Sequence, residues 1–161
     1  MKQITVLGIG NILMQDEGFG VRVIEELLRQ YSFPQHVQVL DGGTLGMELL
    51  RFLIGTNQLI LIDAVSGELS PGSIYQFHND EVKAYFKEKV SMHELGIQDV
   101  LAVLDVLEKP IGEIMILGVQ PLAIDTSLEM TPIVSKAVDV IVKQVLLVLK
   151  EWQVEVVKIN E

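Results

Sequence analysis

One stretch constrains this chain more than any other: Gly8-Ile9-Gly10-Asn11-Ile12-Leu13-Met14-Gln15-Asp16-Glu17-Gly18-Phe19-Gly20. Ahead of it, Ile4 to Leu7 has the length and β-branched content of a buried strand. Behind it, Val21, Val23, Ile24, Leu27 and Leu28 recur at helical spacing, with Glu25, Glu26 and Arg29 left for the wet face. The stretch is therefore a strand-to-helix turn. Gly8 and Gly10 let the backbone bend tightly, and Asp16 and Glu17 place two carboxylates at or just before the first helical turn. A dinucleotide fold needs a third glycine where this chain has Leu13, and a helix start free to receive a pyrophosphate. Two acids at that point repel phosphate and suit a cation.

The remaining chain alternates in the same way. Val37 to Leu40 reads as a second strand, after which Asp41-Gly42-Gly43-Thr44 turns into a helix carrying Leu45, Leu49, Leu50 and Leu53, with Thr44 as its cap. Leu59 to Ile62 is a continuous apolar run, as expected of a central parallel strand covered on both faces, and it ends at Asp63. Ser73 to Phe77 reads as an edge strand and Asn79 to Lys89 as a short surface helix. Ser91 and Glu94 have capping-box spacing, which opens a helix with His93 in its first turn. Ile114 to Val119 is the last clear strand, Thr131-Pro132 starts a C-terminal helix running to about Lys150, and Val154 to Ile159 is a short terminal strand or a tail. The fold class expected is α/β: a three-layer sandwich with a mostly parallel, twisted sheet of about five strands and helices on both faces. The length, 161 residues, fits one domain over 1–161.

Composition excludes several functions. There is no cysteine, so no disulfide framework and no thiolate nucleophile. A net charge of −10, with only 12 Lys plus Arg scattered along the chain, is the opposite of a nucleic-acid footprint. Ile133 to Leu149 is the most apolar segment, but it is near the short limit for a membrane span and carries Lys136, Asp139, Lys143 and Gln144. Met1-Lys2-Gln3 runs directly into the first strand with no apolar leader, so a cytoplasmic location is expected. G-x-S-x-G, Walker and H-E-x-x-H patterns are all missing.

In an open α/β sheet, ligands bind beyond the carboxyl ends of the strands. That rule gathers Glu17, Asp41, Asp63 and His93 at one end. Two carboxylates and an imidazole suit a divalent transition metal, nickel or zinc by ligand type. Each residue has a second reading: Asp16 and Glu17 as helix-start acids, Asp41 as a turn cap, Asp63 as a strand-end hydrogen bonder and His93 as an exposed first-turn residue. His36 and His78 lack such partners and read as surface residues.

Five stretches together resemble one known family: Gly8-x-Gly10-Asn11-x-Leu13-x-x-Asp16-Glu17-Gly18-x-Gly20, Asp41-Gly42-Gly43-Thr44-x-Gly46-x-Glu48-Leu49, Asp63-Ala64, the His93 segment and Gly118-Val119-x-Pro121. In this order and spacing the chain is similar, over essentially its whole length, to the hydrogenase maturation endopeptidases. The resemblance implies a peptidase that removes a C-terminal extension from the large-subunit precursor of [NiFe] hydrogenase after nickel has been installed. It implies Glu17, Asp63 and His93 as metal-contacting residues, with nickel supplied by the precursor and zinc or cadmium able to substitute. It also puts the Gly42-Gly43 loop beside them against the substrate. Asp16 and Asp41 are the carboxylates expected to orient a water. Met92 stands where some relatives have proline. The precursor is the expected partner, with neither nucleic acid nor membrane. A non-catalytic nickel checkpoint or chaperone acting on the same precursor, and a nucleotide-binding module, are the alternatives.

Overall fold

The computed structural model describes the backbone of residues 1–88 and 92–159 and the side chains of 1–87 and 96–159. In chain order the elements are β1 (Ile4–Ile9), a 3-10 turn (Gln15–Gly18), α1 (Phe19–Gln30), β2 (Tyr31–Ser32), β3 (Val37–Gly43), a second 3-10 turn (Met47–Leu49), α2 (Leu50–Leu53) and β4 (Gln58–Ala64). Then follow β5 (Ile74–His78), α3 (Asp80–Glu88), α4 (Met92–Val106), β6 (Glu113–Val119), α5 (Pro132–Ser135), α6 (Ala137–Glu151) and β7 (Val157–Lys158).

The main sheet has five strands in the order β3-β1-β4-β6-β5. All its pairings are parallel except that of edge strand β5 with β6. The chain moves outward from β1 to β3 and then returns past β1 to β4. The connections therefore part above β1 and β4, which is where a crevice forms in such sheets.

Strand pleating sends alternate residues to opposite faces, so the apolar run in β1 divides between two cores. Ile4 and Val6 join Phe19, Val23, Ile24 and Leu27 of α1 and Ile141, Val145 and Leu149 of α6. Leu7 and Ile9 join Leu49, Leu53, Ile97, Val100 and Leu104 on the other face. Strand β4 splits likewise, Ile60 and Ile62 to the first core, Leu59 and Leu61 to the second. The expected three-layer sandwich with a mostly parallel five-stranded sheet is the observed one.

Several local expectations change. The strand expected over 37–40 continues to Gly43 because Asp41 still pairs with Gly8, and a bulge follows as Ile9 pairs with Gly43. Thr44 therefore caps nothing: the next turn begins at Met47, with Gly46 at its N-cap position. Thr131 is at the N-cap of α5 and Pro132 at its first position, but the apolar C-terminal segment is divided at Lys136 into α5 and the 15-residue α6. No helix among the described residues is long and apolar enough to cross a membrane. The 157–158 strand pairs antiparallel with 31–32, a short partner the sequence does not announce. Ser91 of the capping box lies outside the described residues.

Two glycines set how closely α1 approaches the sheet. A Cβ at Gly20 would land on the backbone carbonyl oxygens of Ile62 and Ile9, far inside van der Waals contact. Because neither obstacle is a flexible side chain, α1 would have to lift away from the seam between β1 and β4. Gly20→Ala is expected to destabilise the chain by about 3 kcal/mol or more, read as a lower urea midpoint at unchanged m-value. Gly8 faces the same helix from below, its missing side chain leaving room for the Gly20 carbonyl and Ile24.

Candidate active site

The carboxyl ends of β1, β3, β4 and β6 carry four connections: 10–18, 41–49, 63–73 and 120–131. Gly10 is the hinge of the first. Its φ of 139° is a conformation open to glycine, and a Cβ there would run into the Glu17 carbonyl and come within 3.6 Å of Asp63 Oδ1. Its N–H donates to the Gly43 carbonyl at 2.8 Å. One residue thus joins the turn carrying Glu17, the end of β4 carrying Asp63 and the Gly42-Gly43 segment of β3.

Asp63 is 2% exposed, and its Oδ1 accepts the N–H of Ala64 at 2.8 Å. Glu17 is half-buried in the 3-10 turn. Asp41 is exposed on β3, followed by the buried bulge residue Gly42 and by Gly43 at φ 48°. Nearby, hydrogen bonds from the backbone N–H groups of Glu48 itself and of Gly46 hold the Glu48 carboxyl below its usual range. His93 belongs to the first turn of α4 by its backbone, and its side chain lies outside those described. One turn on, a Cβ at Gly96 would stand 3.1 Å from Gly46 Cα, so this end of α4 lies against the 41–49 loop. Among the described residues no three His, Asp or Glu side chains form a metal cage. Those residues bring the buried carboxylate of Asp63 and the backbone carbonyl of Glu17 against one glycine, with the half-buried Glu17 side chain on the same turn.

Asp16 meets a different geometry from the one expected of a water-orienting base. It is completely buried, and its two oxygens take four protein donors. Oδ2 accepts from the N–H groups of Leu122 (2.9 Å) and Ala123 (3.0 Å) and from the Thr131 hydroxyl (2.8 Å), while Oδ1 accepts from the Thr131 N–H (2.8 Å). That is a loop anchor: the carboxylate ties both ends of the 120–131 connection to the turn that carries Glu17. The Thr131 hydroxyl is spent on Asp16, which is why it makes no cap bond to α5. His36 and His78 stand at the opposite end of the sheet, His36 just before β3 and His78 opposite Met115 near the start of β6.

Sequence reasoning missed the 120–131 connection as a wall of the site. Ser127 pairs with the first turn, its N–H donating to the Leu13 carbonyl (3.0 Å) and its own carbonyl accepting from Gln15 (2.9 Å). Gln120 Oε1 accepts from Gly67 N–H (2.9 Å) and the Tyr75 hydroxyl (2.6 Å), which closes the loop against 63–73. The available signal was length without period: a connection this long in a compact α/β chain is commonly functional.

Comparison with known proteins agrees with this architecture. The family model described as hydrogenase maturation protease matches residues 21–148. The hydrogenase 2 maturation protease of Escherichia coli K12 is 40% identical over 156 residues, covering 96% of this chain and 95% of the relative. The hydrogenase expression/formation protein HupD of Bradyrhizobium diazoefficiens is also 40% identical, over 96% of this chain and 81% of its own length. Among solved structures, the hydrogenase maturating endopeptidase HybD from E. coli superposes with a TM-score of 0.92 at 39% identity, covering 97% of both chains. The [NiFe] hydrogenase maturation protease HybD from Thermococcus kodakarensis gives 0.76 at 27% identity, covering 91% of this chain and 98% of that one.

Proposed function

The chain belongs to the hydrogenase maturation protease family, a family of endopeptidases, and from that premise we propose that it removes the C-terminal extension of a [NiFe] hydrogenase large-subunit precursor that already holds nickel. The observation that carries this reading is the Gly10 hinge, which sets the turn of Glu17 beside the buried carboxylate of Asp63 at the switch point of the sheet.

In this reading the nickel arrives as part of the substrate, and Glu17, Asp63 and His93 are the residues that contact it. Both carboxylates offer hard oxygen donors, and an imidazole adds a nitrogen donor of the kind nickel and zinc accept. When present, the metal supplies Lewis-acid polarisation of the scissile carbonyl or of a water. At the Gly42-Gly43 segment, half-buried Gly43 lets an extended substrate backbone come close, while Gly42 is turned to Leu7 and Ile9 of the core. Asp41 is the carboxylate assigned to orient the attacking water, a reading supported by its exposure at that segment. Asp16 acts indirectly, by holding the 120–131 wall.

Intact mass spectrometry of the precursor tests the proposal. Incubation with this chain is expected to remove a C-terminal peptide from nickel-loaded precursor and to leave unloaded precursor at full mass. Equal cleavage of both would overturn nickel recognition, and binding without any loss of mass would favour a checkpoint role.

A further inference from the structure

The four connections at the carboxyl end of the sheet share a composition. Each carries two carboxylates, Asp16 and Glu17, Asp41 and Glu48, Asp63 and Glu68, Asp125 and Glu129, and none carries a lysine or arginine. Asp16 is turned inward to its four donors and Asp63 is buried, leaving Asp41, Glu48, Glu68, Asp125 and Glu129 exposed on these connections and Glu17 half-buried. Arg22 of α1 reaches this rim, where it donates to the Leu128 carbonyl and to Glu25, both at 3.0 Å.

Large apolar side chains stand among these acids. Leu13, Leu122, Ile124 and Leu128 are 57, 58, 50 and 60% exposed. They belong to one surface, since Leu13 and Leu128 flank the Met14–Ser127 bridge and Asp16 pins Leu122 to the same turn. Leu45 and Met47 continue it across the Gly10–Gly43 contact. Exposed apolar side chains that cluster on a rigidly held loop mark a surface that another molecule covers.

We infer that this apolar, acid-rimmed surface is the seat for the folded body of the protein substrate, whose matching face is apolar with lysine or arginine interspersed. The inference rests on the peptidase reading of the adjoining site. The charge selects the occupant: a second copy of this chain would set acidic rim against acidic rim, and an anionic membrane would be repelled. Continuity with the cleft supports the same partner, because whatever rests on 120–131 is tied through Asp16 to the turn of Glu17. Area is a further reason. A specific protein interface takes about 800 Å² from each partner, more than an extended tail crossing two glycines supplies.

The test uses nickel-loaded large-subunit precursors encoded in the same genome as this chain, with binding and cleavage measured separately. Two variants are compared with the parent: L122S/I124S/L128S, which keeps the backbone donors to Asp16, and D125K/E129K. Thermal melts check that each folds, and the charge variant decides alone if the apolar one does not. The apolar variant is expected to raise Kd about tenfold or more with the salt dependence retained. The charge variant is expected to weaken binding and flatten its salt dependence. Variants binding within about twofold of the parent, with the same salt slope, would overturn the inference. A parent that binds a precursor but never shortens it overturns the peptidase reading instead, and the variants' Kd values still decide the surface.

Discussion

An Asp16→Asn variant is expected to melt roughly 10 °C below the parent chain, although the substitution changes only an oxygen for an amide. Asp16 is completely buried, and its oxygens accept from three backbone N–H groups and one hydroxyl. Asparagine retains one acceptor oxygen and turns an NH2 group toward at least one backbone N–H, which can only donate; of the four partners the Thr131 hydroxyl alone is able to accept. Hydrogen bonds to a charged group contribute about 1.5–3 kcal/mol each, and a buried donor left unmatched costs a comparable amount, so a net loss near 3 kcal/mol is expected. At roughly 2–4 °C per kcal/mol for a chain of this size, that gives the stated shift. The damage should be local first. Differential scanning calorimetry reads the melt, and hydrogen exchange should show the amides of Leu122, Ala123 and Thr131 losing protection before those of β1 and β4. A melt within about 2 °C of the parent would remove Asp16 from its anchoring role.

Glu17→Gln and Asp63→Asn are expected to do the reverse: cleavage of the nickel-loaded precursor falls on the order of 100-fold or more, with little change in melting temperature. Glu17 is only half-buried, and at Asp63 an asparagine can still accept the Ala64 N–H through its remaining oxygen. The fold therefore tolerates each amide while the negative charge offered to the metal is lost. Single-turnover cleavage beside a melt of the same sample separates the two effects. Full activity in both variants would rule out the proposed contact with nickel. The contrast with Asp16 is informative because Asp16 and Glu17 are sequence neighbours with opposite expected phenotypes: one holds the loop, the other is the residue proposed to meet the metal.

Much of the fold was open to inspection in the sequence. The continuous apolar runs Ile4 to Leu7 and Leu59 to Ile62 report strands covered on both faces, and the spacing of Val23, Ile24 and Leu27 reports a helix stripe. Both are consequences of local geometry, because the sides of a strand or helix that are buried fix which positions must be apolar. Gly8 and Gly10 announced a close turn for the same reason, since the absence of a side chain is itself the signal, whereas the contact of Gly20 with the β1–β4 seam emerged only from packing. The parallel order followed from strands alternating with helices, and the general rule for such sheets gathered Glu17, Asp41 and Asp63 at one end.

The roles of individual acids at that end were not local. Asp16 and Glu17 look alike as helix-start carboxylates, and what separates them is a set of donors 106 to 115 residues away in the chain. Thr131 read as a helix cap because its neighbours are those of a cap, yet its hydroxyl faces Asp16 once the 120–131 connection folds back. Strand β3 ran beyond its apolar residues because pairing with β1, rather than hydrophobicity, holds Asp41 in place. Periodicity carries information about which face of an element is buried. Which carboxylate is consumed by the protein and which is left for a substrate depends on partners brought near only by packing, here the 120–131 connection folded back onto the turn that carries Asp16.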